Sequence, residues 1–550
     1  MNRKIKFDIW TLLALGLLAL YGIFLIFPLL NLMAQSVIDE ETGQFTLAYF
    51  LKFFRSPYYF NTLLNSFKVT FAVTVTTIVL ATPLAYIFTR YEIKGKEILR
   101  ILIIISSMSA PFIGAYSWIL LLGRSGVITL FMRNTLGINF PSIYGFYGIL
   151  LVLTLDMYPL IFLYVSGALK NVDNSLLEAS ENLGCSGVKR FFKVVVPLIT
   201  PTLFAGGLLV FMRALADFGT PMLIGEGYRT FPITIFSEYI NELGGSYRFA
   251  AALSIIAIII TTLIFLVQRY FAMRRSFSMN AMNRIRPEKA KGIMQILIHA
   301  YAYLLIGLST LPHVYIFYTS FRNVRGLAFA PGYSLQSYAD AFDKVGKAIS
   351  NTMIMPAISL VIVIFLAVLI AYISVRRPGP IASILDSIAM IPYVLPGAVI
   401  GITLLLAFNK QPLILSGTMA IMVISLVVRR MPYTVRSTAA ILQQIPMNME
   451  EAANSLGSSK MNTFYKITVP MMVAGIISGA ILSWITMISE LSSAIILYTA
   501  RTRTLTIEIY TQIIRGNYGI AAALATMLTA LTIISLLIFN RVSKEEALTM

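Results

Sequence analysis

Long apolar runs alternate with short polar stretches along almost the whole chain. Most runs are about 20 residues long, the length of helix that crosses the hydrocarbon core of a bilayer. We interpret all of them as helices, because strands this long and apolar do not form a membrane barrel. The pattern predicts twelve spans, near residues 9–33, 63–89, 99–122, 146–168, 199–216, 249–271, 295–319, 353–375, 384–408, 413–428, 471–489 and 520–540.

The two halves of the chain are copies of each other. Asn65 and Tyr86 match Asn351 and Tyr372, 286 positions later, and further along the offset becomes 273. Six spans per repeat is an even number, so both repeats enter the membrane in the same orientation, as in transporters with parallel halves. We predict a first repeat at 1–271, a basic linker at 272–293 and a second repeat at 294–550. The later matches are Pro159 with Pro432, Glu178 with Glu451, Gly184 with Gly457, Pro197 with Pro470 and Asp217 with Glu490.

Composition supports a membrane protein and excludes several other classes. Of 550 residues, 58% are hydrophobic and 12% are charged, whereas a soluble domain carries about 25% charged residues. A water-soluble enzyme is therefore excluded. The single cysteine, Cys185, excludes a disulfide framework, and two histidines leave little for metal ligation or general base catalysis. We predict no catalytic residue and no metal site.

The net charge of +19 is a signal of membrane topology. With the N-terminus inside, the inside loops and tails hold 27 of the 43 lysines and arginines. The positive-inside rule therefore predicts that both termini are cytoplasmic, and a nucleic-acid partner is not expected. The main inside cluster falls between spans six and seven and contains Arg269, Arg274, Arg275, Arg284, Arg286, Lys289 and Lys291.

The most specific pattern is an inside loop between spans four and five that is repeated between spans ten and eleven. In each copy a capping residue is followed three positions later by glutamate, which predicts a capping box at the start of a helix. A glycine then stands where a left-handed residue would end that helix. The capping pairs are Ser175 with Glu178 and Asn448 with Glu451, and the glycines are Gly184 and Gly457.

Each predicted loop helix needs a partner surface, because a helix of about nine residues is too short to be stable alone in water. For a single copy, an ordinary connector packed on the protein's own helices is an equal alternative. Two copies in register on the same membrane side favour a helix that docks on another protein.

These loops resemble the EAA loop of type I binding-protein-dependent ABC import permeases, and the resemblance covers residues 61–270 and 347–540. It implies an all-α polytopic fold of two parallel six-helix repeats in a bacterial inner membrane. It also implies two ABC ATPase subunits, homodimeric or paired, that bind ATP-Mg, and an extracytoplasmic substrate-binding protein. Ser180 departs from the motif's second alanine. The residues implied to contact the ATPases are Glu178, Ala179, Ser180 and Gly184, with Glu451, Ala452, Ala453 and Gly457.

The chain contains no glycine-rich phosphate loop, so we expect ATP hydrolysis to reside in separate subunits. The fused arrangement and the stretch 216–221 look most like iron(III) permeases. Similar permeases handle thiamine, aminoethylphosphonate, sugar phosphates or polyamines, so the resemblance implies iron(III) or another small charged solute. The alternative function is an ion-gradient-driven secondary transporter, and a membrane scaffold or channel is a third.

Four charged residues lie within or at the ends of spans, where a charge usually faces a cavity or a partner. Asp217 and Glu490 are repeat equivalents, and we predict that both line the outer vestibule of the pathway. The alternative is that they are interfacial, solvated or paired with Arg213. Asp156 either stabilises a kink before Pro159 or lines the pore.

Overall fold

The computed structural model describes residues 8–543, apart from 109, 140, 242–245, 275–282, 284, 286 and 327. Within that part of the chain, nine helices are long and apolar enough to cross a membrane, or up to eleven if each bent helix pair is one span. The predicted all-helical membrane fold is confirmed. The bent pairs are Pro380–Val394 with Gly397–Ala407, at 112°, and Lys460–Met471 with Val473–Ile488, at 66°.

Two predicted spans differ from the structure. The predicted span 99–122 falls on two separate helices, Lys96–Met108 and Pro111–Leu122, and the stretch long and apolar enough to cross a membrane is Pro111–Leu136. The region of the predicted span 413–428 forms the helix Met419–Gln444, which is not among those nine. This helix carries Arg429 and Arg430 in its middle, and both arginines have buried partners described below.

The chain divides into two compact units. The amino-repeat unit contains Phe53–Thr234 and Ile259–Thr319. The carboxy-repeat unit contains the chain up to Lys52, Ile235–Ile258 and the chain from Ser320 onward. These units do not follow chain order, because the first long helix belongs to the carboxy-repeat unit and the helix Ile293–Ser320 belongs almost entirely to the amino-repeat unit. The bounds of the two sequence repeats, 1–271 and 294–550, stay a prediction. Of the predicted linker, residues 275–282, 284 and 286 lie outside the described part.

In the amino-repeat unit, the helix Pro57–Arg90 packs along the helix Phe146–Lys170. A π-helical turn, Phe191–Val195, joins two helices into one continuous segment from Gly187 to Ala216. Two helices, Phe231–Ile240 and Tyr247–Arg274, give residues to both units. The remaining helices of this unit are Lys96–Met108, Pro111–Leu122, Val127–Leu136, Asn174–Asn182, Gly187–Arg190, Val196–Ala216, Gly219–Ile224 and Ile293–Ser320.

The carboxy-repeat unit repeats this packing, with Gln336–Arg376 along Met419–Gln444. A short antiparallel hairpin, Arg322–Arg325 with Ala328–Tyr333, pairs Asn323 with Ala330. Ala48–Arg55 straddles the unit boundary. The other helices are Ile9–Tyr21, Phe27–Ser36, Pro380–Val394, Gly397–Ala407, Asn448–Ser455, Lys460–Thr463, Val469–Met471, Val473–Ile488, Ala494–Leu497, Leu505–Ile514 and Tyr518–Ser543, with π-helical turns at Gly22–Ile26 and Phe464–Thr468.

Glycines at one repeat-equivalent position allow close helix packing in both units. A Cβ on Gly206 would come within 3.0 Å of the Ile161 side chain, and a Cβ on Gly479 within 2.7 Å of the Thr434 Cα. Small residues at helix contacts let backbones approach closely in membrane proteins. The helix after each loop is therefore held tightly against the helix before it.

Candidate functional site

The first loop helix is Asn174–Asn182, and its N-cap lies two residues earlier than the sequence predicts. Its N-cap is Asp173, whose Oδ1 accepts hydrogen bonds from the Ser175 backbone N–H at 2.9 Å and from the Ser175 hydroxyl at 2.6 Å. The predicted capping box of Ser175 and Glu178 is therefore wrong. Asp173 takes that place because its short carboxylate satisfies the free N–H groups of the first turn.

Glu178 makes a different contact from the one predicted. Its Oε1 accepts a hydrogen bond from the Asn174 amide Nδ2 at 2.6 Å, one turn earlier on the same helix. The Asn174 Oδ1 in turn accepts from Arg90 Nη1 at 3.3 Å. Arg90 is the last residue of the helix Pro57–Arg90, so an arginine from a long helix anchors the first loop helix.

The second loop helix is Asn448–Ser455, and its N-cap is Met447 without a side-chain cap. The predicted capping pair of Asn448 and Glu451 is therefore also wrong. The anchor here is Glu450, which is buried and accepts from Arg376 Nε at 2.8 Å and from the Tyr372 hydroxyl at 3.0 Å. Arg376 is the repeat equivalent of Arg90 and likewise ends its long helix.

Aromatic side chains pack around the second anchor. The Trp10 ring lies 4.5 Å from the Tyr372 ring and 5.1 Å from the Phe464 ring, measured between centroids. Trp10 is buried and comes from the first helix of the chain. That helix therefore supports the tyrosine that contacts Glu450.

Both loop helices end as predicted. Gly184 and Gly457 have φ angles of 75° and 88°, in the left-handed region that favours glycine. The backbone N–H of Gly184 donates to the Glu181 carbonyl at 2.9 Å, and that of Cys185 to the Ser180 carbonyl at 2.8 Å. The second copy has the same two bonds, so both ends are Schellman motifs.

Each loop helix has one face packed on its own chain and one face exposed to solvent. Leu183 and Leu456, at the repeat-equivalent C-cap, are 87% and 90% exposed. The exposed side also carries Glu178, Ala179, Glu451 and Ala452. Ser180 and Ala453 are instead buried, and the Ser180 hydroxyl donates to the Leu177 carbonyl at 2.7 Å. Their position indicates a packing role.

Glu490 lies in a buried ion-pair cluster in the carboxy-repeat unit. Its two carboxylate oxygens accept from Arg429 and Arg430, and its Oε1 also accepts from the Ser493 backbone N–H at 3.1 Å. The Glu490 side chain is 3% exposed. A solvated interfacial position is therefore wrong for Glu490, and its partners are two arginines that the sequence analysis did not select.

Asp156, Arg213 and Asp217 are brought together in the amino-repeat unit. Asp156 interacts electrostatically with both of the others. The Asp217 Oδ2 accepts from the Thr220 backbone N–H at 3.1 Å, at the start of the helix Gly219–Ile224. Asp156 also lines a cavity of about 20 Å³, together with His313. This volume has room for about one water molecule.

The two charge clusters share two equivalent positions in the repeats, and the charge is reversed at one of them. At the offset of 273, Asp156 corresponds to Arg429 and Asp217 to Glu490. The first repeat therefore has two carboxylates where the second has an arginine and a glutamate. The offset places Arg429 at the position of Asp156, which marks it as a charged residue of interest, but its contact with Glu490 appears only in the folded chain. Within the described residues, no group of three or more histidine, cysteine or acidic side chains could hold a metal ion.

A duplicated set of membrane-crossing helices, with one anchored loop helix in each copy, defines a two-repeat membrane permease. The family model of the binding-protein-dependent transport system inner membrane component matches residues 77–277 and 363–545. The chain belongs to this family of ABC-transporter permeases, which are multi-pass proteins of the inner membrane.

Two of the similar proteins align over both repeats, and a third aligns over about half of the chain. The ferric transport system permease protein FbpB of Actinobacillus pleuropneumoniae is 29% identical, over 98% of this chain and 80% of the relative. A putative ferric transport system permease protein FbpB 1 of Haemophilus influenzae is also 29% identical, over 90% of this chain and 79% of the relative. A putative 2-aminoethylphosphonate permease of Salmonella typhimurium is 25% identical, over 48% of this chain and 92% of the relative.

Proposed function

We propose that this chain is the permease subunit of an ATP-driven importer and that its two loop helices couple it to two ABC ATPase subunits. The observation that carries the proposal is the two-faced geometry of both helices. Each is fixed to a long helix through an arginine, Arg90 or Arg376, while its C-terminal leucine is almost fully exposed. An exposed large apolar side chain on an anchored helix is suited to enter a groove of another protein.

The anchors explain how motion could be transmitted. ATP-Mg bound in the partner subunits drives their closure, and the docked loop helices move with them. Because Arg90 and Arg376 tie each loop helix to the end of a long helix, a displacement of the loop is passed to the membrane helices. The result is alternating access, in which an extracytoplasmic binding protein delivers substrate and the permease releases it in the cytoplasm.

We propose iron(III) as the substrate, supported by the two ferric relatives that align over most of the chain. The carboxylates Asp156 and Asp217, with Arg213, are proposed to line the pathway in the first repeat. In the second repeat, Glu490 is proposed to hold Arg429 and Arg430 in place. Both termini and both loop helices are proposed to face the cytoplasm.

The test is uptake of ferric iron by proteoliposomes that contain the permease with its ATPase and iron-loaded binding protein. Wild-type uptake should require ATP and persist in the presence of a protonophore. Leu183→Asp/Leu456→Asp should abolish uptake without lowering thermal stability, because both leucines contact solvent. Leu335→Asp is the matched control, since Leu335 is also exposed but lies at the opposite end of Gln336–Arg376 from Arg376, which anchors the second loop helix.

Two results would contradict the proposal. Uptake that needs no ATP and is lost with the protonophore would instead support an ion-gradient-driven secondary transporter. ATP-driven uptake that excludes ferric iron but accepts a phosphonate or thiamine would keep the importer and replace the substrate.

A further inference from the structure

We infer that the linker between the repeats positions the first loop helix, and that Glu288 is the positioning residue. The contacts stand independently of the proposed function, and only their consequence for coupling rests on it. Glu288 lies in the basic stretch that joins the two repeats, where the sequence alone shows only a topology signal. Its carboxylate Oε1 is 2.7 Å from Arg90 Nη2.

The backbone holds Glu288 in register with the end of the long helix. Its N–H donates to the Arg90 carbonyl at 2.9 Å, and its carbonyl accepts from the Glu92 N–H at 3.0 Å. A second point of the linker touches the loop helix itself. The Asn283 carbonyl accepts from the Asn174 N–H at 2.8 Å, and the Asn283 N–H donates to Asp173 Oδ2 at 3.2 Å.

Glu288 is the first member of a chain of polar contacts that ends on Glu178. Glu288 binds Arg90, Arg90 donates to the Asn174 oxygen, and the Asn174 nitrogen donates to Glu178. The Asn174 amide can serve both neighbours only in this orientation, because the guanidinium needs an acceptor and the carboxylate needs a donor. The linker carboxylate thus fixes the arginine that fixes the exposed glutamate.

In the second repeat, the equivalent arginine has its carboxylate partner within the loop helix itself. Arg376, the equivalent of Arg90, finds its carboxylate within the second loop helix, at Glu450. The first loop helix has Leu177 at the position equivalent to Glu450, so it has no carboxylate of its own for Arg90. Arg90 is 4% exposed, and a buried guanidinium needs a partner. Among the described residues of the linker, Glu288 supplies this charge to Arg90 of the first repeat.

Hydrogen–deuterium exchange of the purified full-length chain tests the inference, with the second loop helix as internal control. Glu288→Gln should speed amide exchange over residues 174–184 by about threefold, the size expected for weakening a half-exposed charged hydrogen bond. Exchange over 448–457 should not change. Glu450→Gln should give the reverse pattern. Glu92→Gln, an exposed carboxylate beside Arg90, should change neither.

Coupling provides a second readout that a purely structural role would leave unchanged. In the complex with ATPase and iron-loaded binding protein, Glu288→Gln should keep both ATPase copies bound but transport about half as many ferric ions per ATP as wild type. Glu288→Asp should restore most of that ratio.

Unchanged exchange at 174–184 in Glu288→Gln, an equal rise in both loop helices, or a wild-type transport ratio would overturn the inference. If wild type binds no ATPase at all, the proposed function fails, while the exchange pattern still decides whether the linker holds the helix.

Discussion

At the level of single residues, the two repeats carry opposite charges at one equivalent position, Asp156 and Arg429, and a carboxylate in both copies at the other, Asp217 and Glu490. Glu490 is a buried carboxylate shared by Arg429 and Arg430, whereas Asp156 and Asp217 form an acidic pair with Arg213 nearby. A buried ion pair is weak evidence for stability in itself, but removing one partner leaves an uncompensated buried charge. A small change at Glu490 should therefore have a large structural effect.

Replacing Glu490 with Gln should lower the free energy of unfolding by about 3 kcal/mol, because two guanidinium groups then lack their counter-charge. The measurement is the midpoint of thermal unfolding in detergent, compared with wild type. Glu226→Gln is the control, since the Arg124–Glu226 pair is exposed and surface pairs contribute little. Equal midpoints for Glu490→Gln and wild type would show that the cluster does not stabilise the fold.

The partners of individual charged side chains are the feature that the sequence predicts least well. Asp217 and Glu490 could be selected because they are charges at span ends, but their partners could not. Arg429 and Arg430 are distant from Glu490 in sequence, and only the packing of Met419–Gln444 on Val473–Ile488 brings them together. The anchoring roles of Arg90 and Arg376 could not be predicted either, because a basic residue at the end of a span is expected from membrane topology alone.

At the scale of elements, the loop helices were predictable at one end and not at the other. The C-terminal glycines are required by a left-handed conformation that few other residues adopt, so a glycine at that spacing is informative. The N-terminal caps could not be predicted, because the second helix has an N-cap, Met447, without a side-chain cap, and the first has several adjacent capping residues. Asp173, Asn174 and Ser175 all suit an N-cap, and only the contacts with the rest of the chain select Asp173.

Gly184→Ala and Gly457→Ala should each weaken their loop helix by about 1 kcal/mol, because a Cβ is disfavoured at positive φ. Amide exchange at the end of each helix should rise in the corresponding variant. Gly167→Ala, a glycine within Phe146–Lys170 with open space around it, is the control and should leave exchange unchanged or slower. A wild-type exchange pattern in both loop variants would mean that these glycines are dispensable.

At the scale of the whole molecule, the apolar runs and the internal repeat predict the architecture well. Both signals depend on many residues, so single errors do not matter. The first helix of each repeat belongs to the unit formed mainly by the other repeat. This could not be predicted, because the apolar length of a span does not show which helices it packs on. The packing of Trp10 on Tyr372 and Phe464 is a tertiary contact that no local sequence pattern predicts.

The predicted orientation can be tested with single cysteines in a Cys185→Ser background. Asn182→Cys and Ser455→Cys, at equivalent exposed positions of the loops, should react with a membrane-impermeant maleimide only after the cells are opened. Thr42→Cys, which is exposed between the first two predicted spans, should react in intact cells. Opposite accessibility of the two loop positions would contradict parallel repeats.

We propose that two anchored loop helices each dock one ATPase subunit. The most direct test is the number of ATPase copies that copurify with the permease in mild detergent, measured by native mass spectrometry. Wild type should carry two copies, and Glu178→Arg/Glu451→Arg should carry none while unfolding at the same temperature, because both glutamates lie on exposed faces. A wild-type chain without ATPase, or a double variant that still carries two copies, would contradict the account.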